Sequence, residues 1–97
     1  MELPDGAGWL RLASADPTIQ PSFNYHYFHD DNDIRRMRYA VRLAASILES
    51  DAYKEVVDER TSPTNEVLAS DETLDKWIRE SVGTSRHVSG TCKIGPD

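Results

Sequence analysis

The end of the chain carries the residues best suited to chemistry. The segment SRHVSGTCKIGPD contains His87 and, five positions later, Cys92, the only cysteine of the 97 residues. A histidine exchanges protons near neutral pH and can act as a general base. A cysteine becomes a nucleophile when a histidine activates it. The spacing leaves three interpretations open: a general base at His87, a Cys–His pair, or no chemical role for either residue. In the last case Cys92 would be a small buried apolar side chain.

Neither a metal site nor a nucleotide loop is expected. The candidate ligands for a metal are His26, His29, His87 and Cys92. The first two lie three positions apart in a predicted strand, where side chains alternate between faces, and the ligand spacing typical of zinc sites is missing. Gly6 and Gly8 resemble the opening of a dinucleotide-binding fingerprint, but a strand follows where that motif needs a helix.

The composition limits the class of protein. A length of 97 residues suits one small domain with a thin stability margin. The net charge of −6 argues against binding nucleic acid, which requires clustered Lys and Arg. One cysteine excludes an internal disulfide, and no apolar run approaches the roughly 18 residues of a membrane span. The start shows no pattern of a signal peptide. We therefore expect a cytoplasmic protein that binds neither nucleic acid nor a membrane.

Two stretches of the sequence have residue patterns that are typical of β-strands. In GWLRLAS, Leu10 and Leu12 share one face and Arg11 lies on the other. SFNYHYFHD is rich in aromatic residues, which have high β propensity. Its two faces would carry Phe23, Tyr25 and Tyr27, and Asn24, His26 and Phe28.

The segment DDNDIRRMRYAVRLAASILES has the most regular helical pattern. Its polar opening, residues 30–33, supplies an N-cap and negative charge at the positive end of the helix. The four arginines lie mostly away from the apolar face and are expected to form a solvated surface. The predicted apolar face consists of Ile34, Met37, Val41, Ala44, Ala45 and Leu48.

Two more helices are predicted, with a polar loop around Pro63 between them. The first covers residues 52–58 and directs Tyr53, Val56 and Val57 inward. The second begins near Ser70 or Asp71 and ends at Gly83. Its apolar stripe consists of Leu74, Trp77 and Ile78.

These elements predict an α+β fold with two to three strands and two to three helices. Two strands alone are marginal as a sheet. We therefore expect the chain to be a piece of an antiparallel sheet covered by helices in a longer protein. Such a piece would expose an apolar patch where the missing strands pack, or associate with itself through that patch.

The segment HVSGTCKIG resembles the His-x-x-Gly-Thr-Cys-x-Met-Gly segment of the glucose–methanol–choline (GMC) oxidoreductases. These are two-domain flavoproteins that oxidise alcohols with FAD. In place of the commoner methionine stands Ile94, which is also apolar. The matching residues are His87, Gly90, Thr91, Cys92, Lys93 and Gly95.

The upstream order is similar as well, so that the resemblance covers residues 8–95. The family pattern is a glycine-led strand, a Ser-x-Asp-Pro turn, a second strand with Pro and Asn-Tyr, and an Asp-led helix. The corresponding residues are Gly8, Leu10, Leu12, Ser14, Asp16, Pro17, Pro21, Asn24, Tyr25 and Asp33.

The resemblance implies that residues 1–97 are part of a C-terminal substrate-binding domain whose FAD-binding domain is absent. It implies that His87 faces the flavin and takes the proton of the substrate hydroxyl. Gly90 and Thr91 would lie near the flavin, and Tyr25 and His26 are candidates for the lining of the substrate pocket. Cys92 would be structural.

The implied partners are an alcohol, as in choline dehydrogenase-like enzymes, and the missing FAD-binding domain. FAD would bind the full-length protein and not this piece, which would be inactive alone. Two alternatives remain open at this point: a small non-catalytic binding or interaction module, and a cysteine enzyme that uses Cys92 and His87. Oxidase and dehydrogenase activity are not distinguished by the sequence.

Overall fold

A computed structural model describes residues 4–87, 90–92 and 94–95. In this part of the chain, two short strands precede three α-helices. Strands β1 (Trp9–Arg11) and β2 (Ser22–Asn24) pair antiparallel, and Leu10 lies opposite Phe23. The predicted α+β fold with an antiparallel sheet is confirmed.

Strand β2 is shorter than predicted, because the chain turns directly after Asn24. The Oδ1 atom of Asn24 accepts a hydrogen bond of 2.8 Å from the backbone N–H of His26. His26 and Phe28 have positive φ angles of 49° and 56°, and the N–H of His29 donates to the carbonyl of His26. Phe28 is therefore a buried turn residue and not part of a strand face. We call residues 24–29 the aromatic turn.

The start of β1 packs against this turn through a glycine. A Cβ atom on Gly8 would lie 2.1 Å from the carbonyl oxygen of Asn24 and 2.9 Å from the Cα of Tyr25. Only a residue without a side chain allows this approach. The glycine at the head of the strand therefore has a packing role.

Helix α1 (Asp31–Leu48) begins as predicted. The side chain of Asp30 caps it by accepting a hydrogen bond from the N–H of Asn32. Ile34 and Ala45 are buried, whereas Ala44 and Leu48 are exposed. The prediction was wrong for Ala44 and Leu48, because the described residues cover a narrower stripe of the helix than the predicted apolar face.

The chain after α1 differs from the prediction. Residues 52–58 form only a 3₁₀ turn (Asp51–Tyr53) followed by hydrogen-bonded turns, and Val56 is 76% exposed. Helix α2 (Asn65–Leu68) lies where a loop was predicted. The Thr64 hydroxyl caps it by accepting a hydrogen bond from the N–H of Val67, which explains a helical turn in this polar segment.

Helix α3 (Asp71–Ser81) begins at the predicted cap, since Ser70 Oγ accepts a hydrogen bond of 3.1 Å from the N–H of Thr73. It ends at Ser81, and the extended residue Val82 donates to the carbonyl of Ile78. Gly83 has no left-handed φ and does not form the predicted cap.

One small core joins the aromatic turn to the helices. Half-buried apolar side chains from α1, α2 and α3, together with Val82, surround it. The core is too small to cover the sheet, whose side chains stay exposed. The core residues are Phe28, Ile34, Leu74 and Ile78.

Arginine–aspartate pairs tie α1 to α3 beside this core. Arg38 pairs with Asp71 and, at 2.8 Å, with Asp75. Arg42 Nη1 lies 2.7 Å from Asp71 Oδ1. The prediction of a solvated arginine surface was wrong for these two residues, because their partners come from a helix about 30 positions away.

The sheet carries the apolar surface that was expected for a piece of a larger protein. The exposed apolar residues of the sheet and its turn are Trp9, Leu10, Leu12, Phe23, Tyr25 and Tyr27.

None of the helices in the described part of the chain is long and apolar enough to cross a membrane.

Candidate active site

His87 lies on the loop that follows α3 and is exposed. Five positions earlier, Val82 packs against the core and fixes the start of this loop. Within the described residues, the imidazole makes no hydrogen bond, ion pair or ring contact. Its nitrogens are therefore open to a group from outside this part of the chain.

A tight bend directly precedes His87. Arg86 has a φ of 64°, and its backbone N–H donates a hydrogen bond of 3.0 Å to the hydroxyl of Thr84. A positive φ is uncommon for a residue with a side chain. The bend turns the chain immediately before the histidine.

The described residues of the motif after His87 are exposed. Gly90 has a φ of 79°, and, its chain neighbours aside, no atom of the described residues lies within 4 Å of the position that its Cβ would occupy. The φ suits glycine and would strain another residue. Lys93, which belongs to the same motif, lies outside the described residues.

Cys92 is a free, exposed thiol. The expectation that it is a small buried side chain was wrong, because nothing in the described chain covers it. No hydrogen bond joins its sulfur to His87 among the described residues. The geometry of a Cys–His pair is therefore not formed here.

Among the described residues, Gly90 and Thr91 are exposed enough to border a flavin, whereas no binding site for a whole FAD molecule is formed. The open space beside Gly90 and the exposed Thr91 leave room for a large planar group. A diphosphate usually binds a glycine-rich turn at the N-terminus of a helix. Gly6 and Gly8 precede strand β1 instead.

Tyr25 and His26, the predicted pocket residues, lie side by side in the aromatic turn. The ring of Tyr25 stacks on Tyr27 with centroids 5.0 Å apart, and its edge meets Phe23 at 5.3 Å. His26 is half-buried, and its Nδ1 lies 3.3 Å from the carbonyl oxygen of Ala7. No hydrogen bond or ring contact joins either residue to His87 among the described residues.

The stacked rings of Tyr25 and Tyr27 and the edge-on ring of Phe23 form one exposed aromatic surface. Each of Phe23, Tyr25 and Tyr27 is between 39% and 55% exposed. Aromatic faces bind apolar groups and, through their quadrupoles, cations. This surface can therefore contact the apolar or cationic part of a small molecule.

An acidic cluster lies at the other end of the aromatic turn. Oxygen atoms of Asp5, Asp30 and Asp33 lie within 4.8 Å of one another, whereas the histidines and Cys92 form no such group among the described residues. Asp33 accepts hydrogen bonds of 2.8 and 2.9 Å from the N–H groups of Asp5 and Gly6. These bonds give the carboxylate a structural role.

The charge of Asp33 is stabilised by those bonds. Burial raises the pKa of Asp33, but the two backbone hydrogen bonds and the nearby charge of Arg36 outweigh it and hold the pKa below its ordinary value of 3.8. The carboxylate is therefore ionised at neutral pH although its residue is only 2% exposed.

Arg79 is a residue that the sequence did not identify. Its Nη1 donates a hydrogen bond of 3.0 Å to the carbonyl oxygen of Phe28, 51 positions away. This bond joins the helix that leads to His87 to the turn that carries Tyr25 and His26. No local pattern could have revealed it, because the acceptor is a backbone atom.

The sequence profile of the GMC oxidoreductases matches residues 4–97, nearly the whole chain. No solved structure is a significant match. The match includes the strands, the aromatic turn, all three helices and the segment of His87.

Among curated proteins, the chain is 33% identical over 94 residues to the oxygen-dependent choline dehydrogenase of Photobacterium profundum, covering 97% of this chain and 16% of that protein. It is 36% identical over 90 residues to the enzyme of the same name from Pseudomonas fluorescens, covering 93% and 16%. The chloroplastic fatty acid photodecarboxylase of Chlamydomonas reinhardtii is 34% identical over 88 residues, covering 91% and 14%. The chain therefore spans about one sixth of the length of such relatives.

Proposed function

Since the chain belongs to the GMC oxidoreductase family, we propose that residues 1–97 are part of the substrate-binding domain of an FAD-dependent enzyme that oxidises the CH–OH group of an alcohol. The observation that carries the proposal is an exposed histidine at the head of the family's segment. It makes no hydrogen bond, ion pair or ring contact with the other described residues. Such a side chain is available to a substrate.

In this mechanism His87 is the general base. The imidazole accepts the proton of the substrate hydroxyl, and the oxygen gains the electron density that makes the adjacent C–H bond a better hydride donor. FAD, when bound, supplies the acceptor of that hydride. His87 then holds the proton until solvent or another group removes it.

The loop after α3 gives the base its position. Val82 anchors the loop to the core, and the bend at Arg86 precedes His87. Gly90 and Thr91 follow on an open surface, and we assign to them the contact with one edge of the flavin. The rest of the FAD molecule is assigned to the part of the protein outside this chain.

Tyr25 and His26 are the proposed lining of the substrate pocket. The stacked rings of the aromatic turn suit a substrate with an apolar or cationic part. Choline is the first alcohol to test, because bacterial relatives are named choline dehydrogenases and choline carries a quaternary ammonium group. The relative named for a fatty acid indicates that substrates differ within the family.

The FAD-binding domain is the proposed partner of the exposed sheet. The apolar residues that the described helices leave uncovered would pack against it and against further strands. The 97-residue chain alone is then expected to be inactive and to bind no FAD. The cytoplasm is the proposed location, in keeping with the single cysteine.

The experiment is reduction of the flavin by an alcohol, without oxygen, in the full flavoprotein that contains this chain. His87→Ala should slow reduction about 10²–10⁴-fold, which is the usual contribution of a general base. The flavin should stay bound, as its absorbance spectrum will report. Reduction at the normal rate would refute the role of His87.

Cys92→Ser is the matched control, because this residue belongs to the same exposed segment. The proposal expects nearly normal reduction by this variant. A loss as large as that of His87→Ala would show that Cys92 also takes part in the reaction with the flavin.

A further inference from the structure

Building on the proposed role of His87, we propose that Arg79 is a positioning residue. It fixes the aromatic turn against the end of α3, so that the pocket side chains and the loop of His87 keep one relative arrangement. The proposal rests on a hydrogen bond between the two segments, on the backbone of the turn and on the short path from α3 to His87.

The hydrogen bond lies at the junction of the two segments. Arg79 Nη1 donates to the carbonyl oxygen of Phe28 over 3.0 Å in a partly buried position. The ring of Phe28 lies in the core beside Ile78, the residue that precedes Arg79. The aromatic turn is thus held to α3 by a buried ring and by a charged donor, and the donor bonds directly to the carbonyl of the turn.

The turn needs such a restraint because its backbone is strained. His26 and Phe28 both have positive φ angles, 49° and 56°, and neither is a glycine. Residues remain in this region only when their surroundings hold them there. Asn24 restrains the first of them through the backbone N–H of His26. Arg79 restrains the second through its carbonyl.

The path from Arg79 to His87 is short. The N–H of Val82 donates to the carbonyl of Ile78, and its side chain packs on the core. Five further residues lead to His87 and can span about 18 Å at most. A shift of the turn relative to the end of α3 therefore changes the position of the pocket relative to the base, and errors of about 1 Å can cost a large factor in rate.

Arg42 offers a matched control. It also ties α3 to the rest of the structure, through Asp71 at the first residue of that helix. It makes no hydrogen bond to the aromatic turn among the described residues. Its loss should loosen α3 at the end remote from His87.

The test is the rate of flavin reduction by alcohol in the full flavoprotein. Arg79→Met should lower this rate about tenfold with the flavin still bound. Arg79→Lys should restore most of it, because an ammonium group can also donate to one carbonyl oxygen. Arg42→Met should lower the melting temperature and leave the rate unchanged.

A double-mutant cycle separates positioning from general loosening. If Arg79 acts through the base, Arg79→Met should have little further effect in a His87→Gln background. An unchanged rate in Arg79→Met, or an equal loss in both backgrounds, would overturn the proposal. Should Arg79→Met fail to fold, Arg79→Ala, which also lacks a donor, replaces it with the same expected outcomes.

The experiments distinguish a failure of the proposed role of His87 from a failure of the positioning role of Arg79. A normal rate in His87→Gln alone would refute His87 as the base and would overturn the role of Arg79 with it. A slow rate in His87→Gln, together with a normal rate in Arg79→Met, would refute only the positioning role.

Discussion

The carboxylate of Asp33, in the first turn of α1, accepts a hydrogen bond of 2.9 Å from the backbone N–H of Gly6. A second bond comes from the N–H of Asp5. Through one side chain, the segment that leads into β1 is joined to the helix that follows β2. The residues that precede β1 are thereby held beside the first turn of the helix that follows the aromatic turn.

Asp33→Asn should destabilise the chain by about 1–3 kcal/mol, because the amide oxygen can accept only one of the two N–H bonds and leaves the other donor without its acceptor. Thermal unfolding followed by circular dichroism measures this. Asp31→Asn, an exposed position in the same helical turn, should cost much less. Equal losses in both variants would contradict the role of the buried carboxylate.

The same residue predicts a dependence on pH. Because the pKa of Asp33 in the folded chain lies below its ordinary value of 3.8, the charged form stabilises the fold above that value. The contribution is lost as pH falls from 3.8 through the folded-state pKa. Asp33→Asn should flatten the fall of stability in acid, and an unchanged acid limb would disprove this assignment.

The pairs between α1 and α3 should depend on salt. The hydrogen bond from Arg42 and the charges of Arg38 and Arg42 hold the pKa of Asp71 below its ordinary value, against a smaller opposing effect of burial. Its side chain is more than half exposed, so we expect Asp71→Asn to lower the melting temperature only slightly. That difference should shrink at high salt. A difference that salt does not change would argue against a charge effect.

Leu74 is fully buried, and its truncation should be the most damaging change in α3. Leu74→Ala is expected to cost about 2–5 kcal/mol, a large part of the stability of so small a domain. The loss of helical circular dichroism in urea measures it. Leu12→Ala, at a position that is 80% exposed, should change stability by less than about 0.5 kcal/mol. Similar losses of stability in the two variants would refute the assignment of Leu74 to the core.

The exposed sheet should make the 97-residue chain associate with itself. Sedimentation at increasing concentration is expected to show oligomers, since the apolar surface lacks its partner. Phe23→Lys should reduce the association. Val56→Lys, another exposed apolar position outside the sheet, should not. A chain that stays monomeric at every concentration would contradict this view of the sheet.

The sequence predicted those features that depend on neighbouring residues. Periodicity and caps placed α1 at Asp30 and α3 at Ser70, because side chains that bond to the next turn are visible in a short window. It could not predict the aromatic turn. Alternation suggested a strand, but the burial of Phe28 and its bond to Arg79 depend on residues about 50 positions away.

The candidate site came from the family resemblance, which directed attention to His87, Tyr25 and His26, and the roles of these residues stay predictions. The exposure of Cys92 was not foreseen, because burial depends on what packs over a segment. The pairing of Arg38 and Arg42 with α3 was missed for the same reason.

The most direct test of His87 as the general base is the pH dependence of flavin reduction by alcohol in the full flavoprotein and its His87→Gln variant. With a general base in the site, the normal rate should rise with pH through one ionisation as the base loses its proton. In His87→Gln the rate should be about 10²–10⁴-fold lower and this ionisation absent. The same pH profile at an undiminished rate in the variant would show that another group accepts the proton.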